Sequence, residues 1–343
     1  PCSLRDDVDL FVEEVMEALS GSFLFVLNLD EVSRVYVNCS AQVPCVYDPE
    51  LRVAASTAHA ILSEEAYWER FDEKLYTHLD VAREGWFPAG ITAHEGIERV
   101  LPNHYLDLQS WITKRHWPRA EILTSKNQQT NIDEFVSLIQ KQIRAVSRSP
   151  KDVVQALTAG HETRVLLSCS KPIVREIAFA TVVGTGRHEC DSITAQKIAK
   201  DFGLKHIQVP RIEASQAEQD LFVRRGGHCV GDTNSLYHPS VWVLAKDYVL
   251  IGGLGGEIGR AFFWKPTDTS EMVLTVSNLV SRLGLPQDVK IVESFKKWMD
   301  ELPPCDAYGV LDLLYIEHRM GPWYAAQFCC DPTLIRISPM MNR

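Results

Sequence analysis

Val8, Phe11, Val12, Val15, Met16 and Leu19 recur on one helical face and stop at Gly21, which predicts an amphipathic helix with a glycine terminator. The period then changes. Ser22 to Asn28 and Arg34 to Asn38 are β-rich runs at hairpin spacing, followed by short apolar runs at Val43 to Tyr47 and Val53 to Ala55. These runs predict an antiparallel sheet with a few helices over residues 1–120. Thr130-x-x-Asp133 has the spacing of a helix start, and Ile132, Phe135, Val136, Leu138, Ile139 and Ile143 form an apolar stripe that ends near Val146. Ser147 to Pro150 breaks that helix, which could belong to either side of a boundary. Two domains are expected, residues 1–130 and 131–343.

Beyond the break the pattern alternates. Strand-like Val153 to Leu157 precedes a helix near Thr163 to Cys169. Strand Ile177 to Val183, helix Ile193 to Phe202, strand His206 to Val209 and helix Gln216 to Arg224 follow, and then strand Tyr248 to Ile251. Short apolar strands alternating with helices predict a doubly wound parallel sheet, so the fold class expected for the whole chain is α/β. Past Thr269 the chain reads as helical to about Gln327.

Composition narrows the function classes. The 45% of hydrophobic and 23% of charged residues are globular values, and no apolar run is long enough to span a bilayer, so no membrane role is expected. A formal charge of −10 repels a phosphate backbone, which argues against nucleic acid as a partner. The nine cysteines include no C-x-x-C pair, and adjacent Cys329 and Cys330 lack zinc-finger spacing. Reduced thiols in a cytoplasmic protein are the expectation, and no export signal stands in Pro1 to Asp9.

In open α/β sheets, ligands gather where strand ends lead into helix N-termini with unpaired N–H groups. Two loops answer that description. Leu157-Thr-Ala-Gly-His-Glu-Thr163 offers Gly160 for close approach and two hydroxyls, Thr158 and Thr163, although an ordinary strand–helix turn with a threonine cap has the same spacing. Gly252-Gly-Leu-Gly-Gly-Glu257 follows another strand, carries four glycines in six residues and ends in a carboxylate suited to magnesium and pyrophosphate. His161 and His104 read as capping or fold residues, and Trp86, Phe87 and Trp111 as core. Glu317 and Arg319 stand two apart on a helix, so each needs its own partner.

Thr158 to Thr163 resembles the pyrophosphate loop S-G-G-x-D-S of the asparagine synthetase family, with Glu162 for the usual Asp and Thr163 for the usual Ser. His188-Glu-Cys-Asp191, Gly252 to Glu257 (resembling S-G-E-G-x-D-E), Tyr315 to Arg319 (L-E-x-R) and Ser338 to Asn342 (P-F-L-D) follow in the family's order. Gly21 to Leu27, Pro44 to Tyr47, Ala54 to Ser56 and Gly96 to Leu106 are similar to the later part of a class II glutamine amidotransferase domain.

The resemblance implies an amidotransferase-like remnant before an ATP-pyrophosphatase domain that uses ATP and Mg2+ to activate a small carboxylate, and a homodimer is compatible with it. It implies a nucleotide and pyrophosphate site of Leu157, Thr158, Ala159, Gly160, Glu162, Thr163, Asp191, Gly253 and Gly255. Glu162 and Glu257 would hold the metal, and Thr163 and Glu257 would act in the chemistry. Three departures qualify the expectation. Cys2 stands behind Pro1 without the glycine context of an amidotransferase nucleophile, so no glutaminase activity is expected. Leu254 takes the place of an acidic residue, and the family's lysine beyond P-F-L-D has no counterpart before Arg343. A degenerate protein that binds nucleotide or a partner without making an amide is the alternative.

Overall fold

A computed structural model describes residues 7–29, 31–119, 127–184, 186, 189–330 and 335–341, with backbone alone for 326–330. Cys2, His188 and Asn342 lie outside the described residues.

The first predicted helix spans Val8–Ala18, started by Asp7, whose side chain accepts from the N–H groups of Asp9 and Leu10. It covers one face of a four-stranded antiparallel sheet, of order β1-β2-β6-β7, formed by β1 (Leu24–Leu29), β2 (Val32–Val37), β6 (His104–Asp107) and β7 (Ile112–Arg115). Val12 and Met16 pack there on Leu27, Tyr36 and Tyr105. Period-two alternation sends Val35, Val37 and Leu106 to the opposite face, where they meet Cys45, Tyr47 and Val100. Cys45 leads into a small antiparallel sheet of order β4-β3-β5, from β3 (Val46–Asp48), β4 (Val53–Ala55) and β5 (Glu98–Arg99). Short helices from Ala58 to Glu84, which the apolar pattern did not reveal, fill the space between β4 and β5.

The second half carries a five-stranded parallel sheet of order β10-β9-β8-β11-β12. Its members are β8 (Asp152–Ala156), β9 (Ala178–Val182), β10 (His206–Val209), β11 (Tyr248–Ile251) and β12 (Arg336–Ile337). Helices Gln128–Val146, His161–Cys169 and Glu189–Phe202 cover one face through Ile139, Ile143, Leu166, Ala195 and Ala199. Helix Pro239–Ala245 places Leu244 on the other, against Val154, Ala178, Ala180 and Val209. The sheet is therefore doubly wound, and the strand order reverses between β8 and β11.

Two expectations on the helix before β8 need correction. It starts at Gln128 rather than at Thr130, because the Asn127 side chain accepts from Gln129 N–H at 2.8 Å. Of the expected stripe, Ile139 and Ile143 are buried while Ile132, Phe135 and Leu138 face solvent.

The largest apolar cluster joins the halves. Leu75, Val81, Phe87 and Ile91 from the first pack with Phe222, Leu279, Phe295, Leu311 and Leu314 from the second. Beside it the buried Glu317 carboxylate, in the π-helical turn Tyr315–Met320, accepts from both terminal nitrogens of Arg115 (2.8 and 2.7 Å), from Asn103 Nδ2 (2.8 Å) and from Trp298 Nε1 (2.6 Å). Arg319 lies over the rings of Trp86 and Trp323, so Glu317 and Arg319 do find separate partners. No helix among the described residues is long and apolar enough to cross a membrane.

Candidate functional site

Both glycine-bearing loops leave the carboxyl ends of the neighbouring strands β8 and β11, the pair between which the strand order reverses. Leu157 continues the sheet. Its N–H donates to Ala180 O at 2.9 Å, its carbonyl accepts from Thr181 Oγ1 at 2.5 Å, and its side chain is fully buried. Both backbone groups and the side chain of Leu157 are thus engaged by the sheet and the core.

The loop is then knitted by its own polar groups. Thr158 and Thr163 hydroxyls lie 3.0 Å apart, Gly160 N–H donates to Thr158 Oγ1 at 3.0 Å, and Ala159 N–H donates to Asp191 Oδ1 at 2.8 Å. Asp191 is on the first turn of helix Glu189–Phe202, so that helix fixes the loop's shape. Gly160 is the N-cap of helix His161–Cys169, with no side chain capping the first turn. His161, expected to cap or pack beside the loop, is the exposed first residue of the helix instead.

The second loop lies directly on the first. A Cβ on Gly253 would stand 2.9 Å from Glu162 Cβ and 3.2 Å from Thr163 N, and one on Gly256 would stand 2.5 Å from Glu162 Cγ. Gly255 takes φ +95, a conformation that favours glycine. Its N–H donates to Glu257 Oε2 at 3.0 Å, which folds that carboxylate back over the loop. The glycines thus seat the second loop on Glu162, and the carboxylates of Glu162 and Glu257 both act on the Tyr315 phenol. Leu254 turns away from it into an apolar cluster with Tyr315, Met320 and Met341.

Two site residues were not found by sequence reasoning. Arg260 closes a short 3-10 turn, Ile258–Arg260, and its Nη2 lies 2.6 Å from Glu162 Oε1 in an ion pair that lacks hydrogen-bond geometry. The Tyr315 phenol is pushed up by burial and by Glu257, an effect countered by Arg319 and Arg260, which places it within reach of the same charges. A basic residue one turn beyond Glu257 was a readable signal for the first. Tyr315 opens the stretch that resembles L-E-x-R, but the sequence assigns the phenol no role, because its nearness to the cradle charges emerges only in the fold.

Next to Thr158 and Asp191 opens a cavity of about 430 Å³, bordered also by Gly184, Arg211, Asn234 and Tyr237. Its size is that of a small-molecule site. The Arg211 guanidinium lies 3.6 Å over the Tyr237 ring. Among the described residues no three His, Cys, Asp or Glu side chains stand together as a ready metal nest. Glu162 and Glu257 suit a cation that takes one or two protein carboxylates and completes its shell with water and phosphate oxygens, as magnesium does.

No protein-family model matches the chain, and no curated protein is significantly similar to it. Among solved structures, the chain is similar to the NH3-dependent NAD synthetase of Campylobacter jejuni subsp. jejuni NCTC 11168, solved in complex with a nitrate ion. The identity is 14% and the TM-score 0.26, over 57% of this chain and 94% of that one.

Proposed function

We propose that the second half binds ATP at the β8 and β11 strand ends and activates a small carboxylate for amide formation, as its resemblance to the asparagine synthetase family implies. The observation that carries this reading is the interlock of two glycine-bearing loops at the reversal of strand order, each contributing one carboxylate. In this reading the base and ribose occupy the cavity beside Gly184 and Arg211. The triphosphate lies over Gly160 at the start of helix His161–Cys169, where helix N–H groups favour anions.

The acceptor carboxylate oxygen attacks the α-phosphorus, and the bond from that phosphorus to the bridging oxygen of the β-phosphate breaks, giving an acyl-adenylate and pyrophosphate. The protein's share is positioning and charge compensation. Thr158 and Thr163 hold the loop in its cradle shape, Asp191 pins it through Ala159 N–H, and Gly253 permits the second loop to seat against it. Magnesium held by Glu162 and Glu257 would supply neutralising charge to the phosphates. A nitrogen nucleophile then displaces AMP.

One observation favours the alternative of a degenerate protein: Leu254 is packed away among apolar side chains, so that position has no base for the nucleophile. Exchange of labelled pyrophosphate into ATP, measured with a panel of small carboxylates, separates the two. Carboxylate-dependent exchange supports adenylation. ATP binding without exchange for any acid supports the degenerate protein.

A further inference from the structure

The ion pair between the loops has no role in the scheme above. Three carboxylates border the cradle, and each is occupied differently: Asp191 by Ala159 N–H, Glu257 by Gly255 N–H, and Glu162 by the Arg260 guanidinium. A polyphosphate entering among three carboxylates meets repulsion unless a protein cation offsets it.

The nearby cations divide clearly. Arg164 donates Nε to Gly160 O at 3.2 Å, and Arg319 is sandwiched between Trp86 and Trp323. Arg211, which borders the cavity with Thr158 and Asp191, lies 3.6 Å over the Tyr237 ring. Arg260 alone among these pairs with a cradle carboxylate. Its side chain is 48% exposed against 15% for Glu162, so it can turn toward solvent while its partner stays in place. Ala261 follows it in the left-handed region at φ +54 and ends the 3-10 turn.

We propose that Arg260 is a pyrophosphate-binding residue, stored on Glu162 in the free protein, which exchanges that carboxylate for the β- and γ-phosphates of ATP and for the pyrophosphate product. The proposal rests on the nucleotide reading above and goes beyond it. A phosphate offers the planar guanidinium two oxygens and more charge than one carboxylate does. The pair given up is half solvated and worth little, so the exchange is downhill once polyphosphate is present. Its release also leaves Glu162 free to take a cation, which couples the arrival of metal and polyphosphate at one switch.

Calorimetric titration of the full chain with inorganic pyrophosphate, with and without magnesium, tests the exchange, with adenosine titrated in parallel. Arg260→Ala is expected to weaken pyrophosphate binding about tenfold or more, in line with the loss of a charge-assisted contact. Arg260→Lys, which keeps the charge without the fork, should fall between it and wild type, and adenosine binding should hold in both. Glu162→Gln breaks the same pair but liberates the arginine, so pyrophosphate affinity in metal-free buffer should rise. A purely structural clasp predicts a fall for both Arg260→Ala and Glu162→Gln, and that result overturns the proposal. Equal pyrophosphate affinity in Arg260→Ala and wild type overturns it as well. Adenosine or ATP binding to wild type with no pyrophosphate binding overturns it while leaving the nucleotide reading intact. Binding of neither overturns both. Thermal melting of each ligand-free variant confirms that it is folded.

Discussion

At the scale of single residues, the seating of one loop on another is decided by missing atoms. At Gly256 the two nearest obstacles, Glu162 Cγ and Met340 Sδ, belong to flexible side chains, with Glu162 Cβ behind them at 3.1 Å, whereas at Gly253 the obstacles are Glu162 Cβ and backbone C and the Thr163 nitrogen, two of them main chain. Gly253→Ala is therefore expected to cost about 1–3 kcal/mol through overpacking and to abolish ATP binding, with Gly256→Ala milder in both respects. Urea unfolding and a nucleotide thermal-shift series read the two effects. Glu257→Gln keeps the shape and removes the charge, so in a chain that adenylates carboxylates the exchange rate should fall roughly 10²-fold with folding barely changed. Equal rates for Glu257→Gln and wild type would remove Glu257 from the chemistry. The glycine run, Glu162, Glu257 and Asp191 were all legible in the sequence as candidate ligands. What the sequence withheld was the partnership: Asp191 reaches the loop from 32 residues away, and Arg260 crosses from one loop to the other.

At the scale of elements, strands β8 to β11 and the helices as far as Arg225 were read with errors at their ends, because short buried parallel strands stand out between amphipathic helices, whereas helices Asp232–Tyr237 and Pro239–Ala245 and the two-residue strand β12 were too short to show a period. Helix Gln128–Val146 shows the limit of periodicity. Six apolar positions mark one broad stripe, but the sheet below covers only part of it, and coverage is a tertiary fact. Ile139→Ala should cost about 2–5 kcal/mol, while Phe135→Ala on the exposed part should change unfolding free energy by less than about 0.5 kcal/mol. Chemical denaturation of the two variants checks the pair. The start of that helix was misplaced because Thr130 offers a capping pattern but Asn127 is the residue whose backbone leaves the helical region. The short helices between Ala58 and Glu84 were unreadable for another reason: at four to six residues, none spans two full turns, so no period emerges.

At the scale of the molecule, the halves share a core and a buried ion pair, and both have consequences for acid stability. Burial holds His94 and His318 at about 3 and His228 at about 4, below the ordinary 6.5. Such groups take up protons on unfolding, so their contribution is complete above pH 6.5 and declines as the pH drops toward 3. Burial works to raise Glu317, and Arg115 outweighs it, holding the carboxyl at about 2 against an ordinary 4.5. Its contribution is present above pH 4.5 and is lost between there and pH 2, a second stage that overlaps the lower end of the first. His94→Phe should make the first stage shallower, recovering about 1–2 kcal/mol at pH 5, and should leave the second unchanged. Urea midpoints across pH 3 to 8 decide it; an unaltered slope means His94 carries none of that dependence. Nucleotide should act on this same global transition, adding roughly 2.7 kcal/mol at 100 times its dissociation constant, with no shift for any nucleotide arguing against a binding domain.

The π-helical turn Tyr315–Met320 joins these scales. Tyr315 at its start faces the charges of the cradle, and Glu317, two residues on, is gripped by Arg115, Asn103 and Trp298. A turn closed over one extra residue works as an indexed joint, in which the orientation of everything downstream depends on the count of residues passing through it. Deleting one residue, such as Ile316, would restore the ordinary pitch and rotate the following side chains by about 100°. The phenol and the carboxylate could then no longer meet their partners at once. The lengths of segments elsewhere on the surface can drift with little effect, but this one is keyed: its length is itself a piece of the site's geometry.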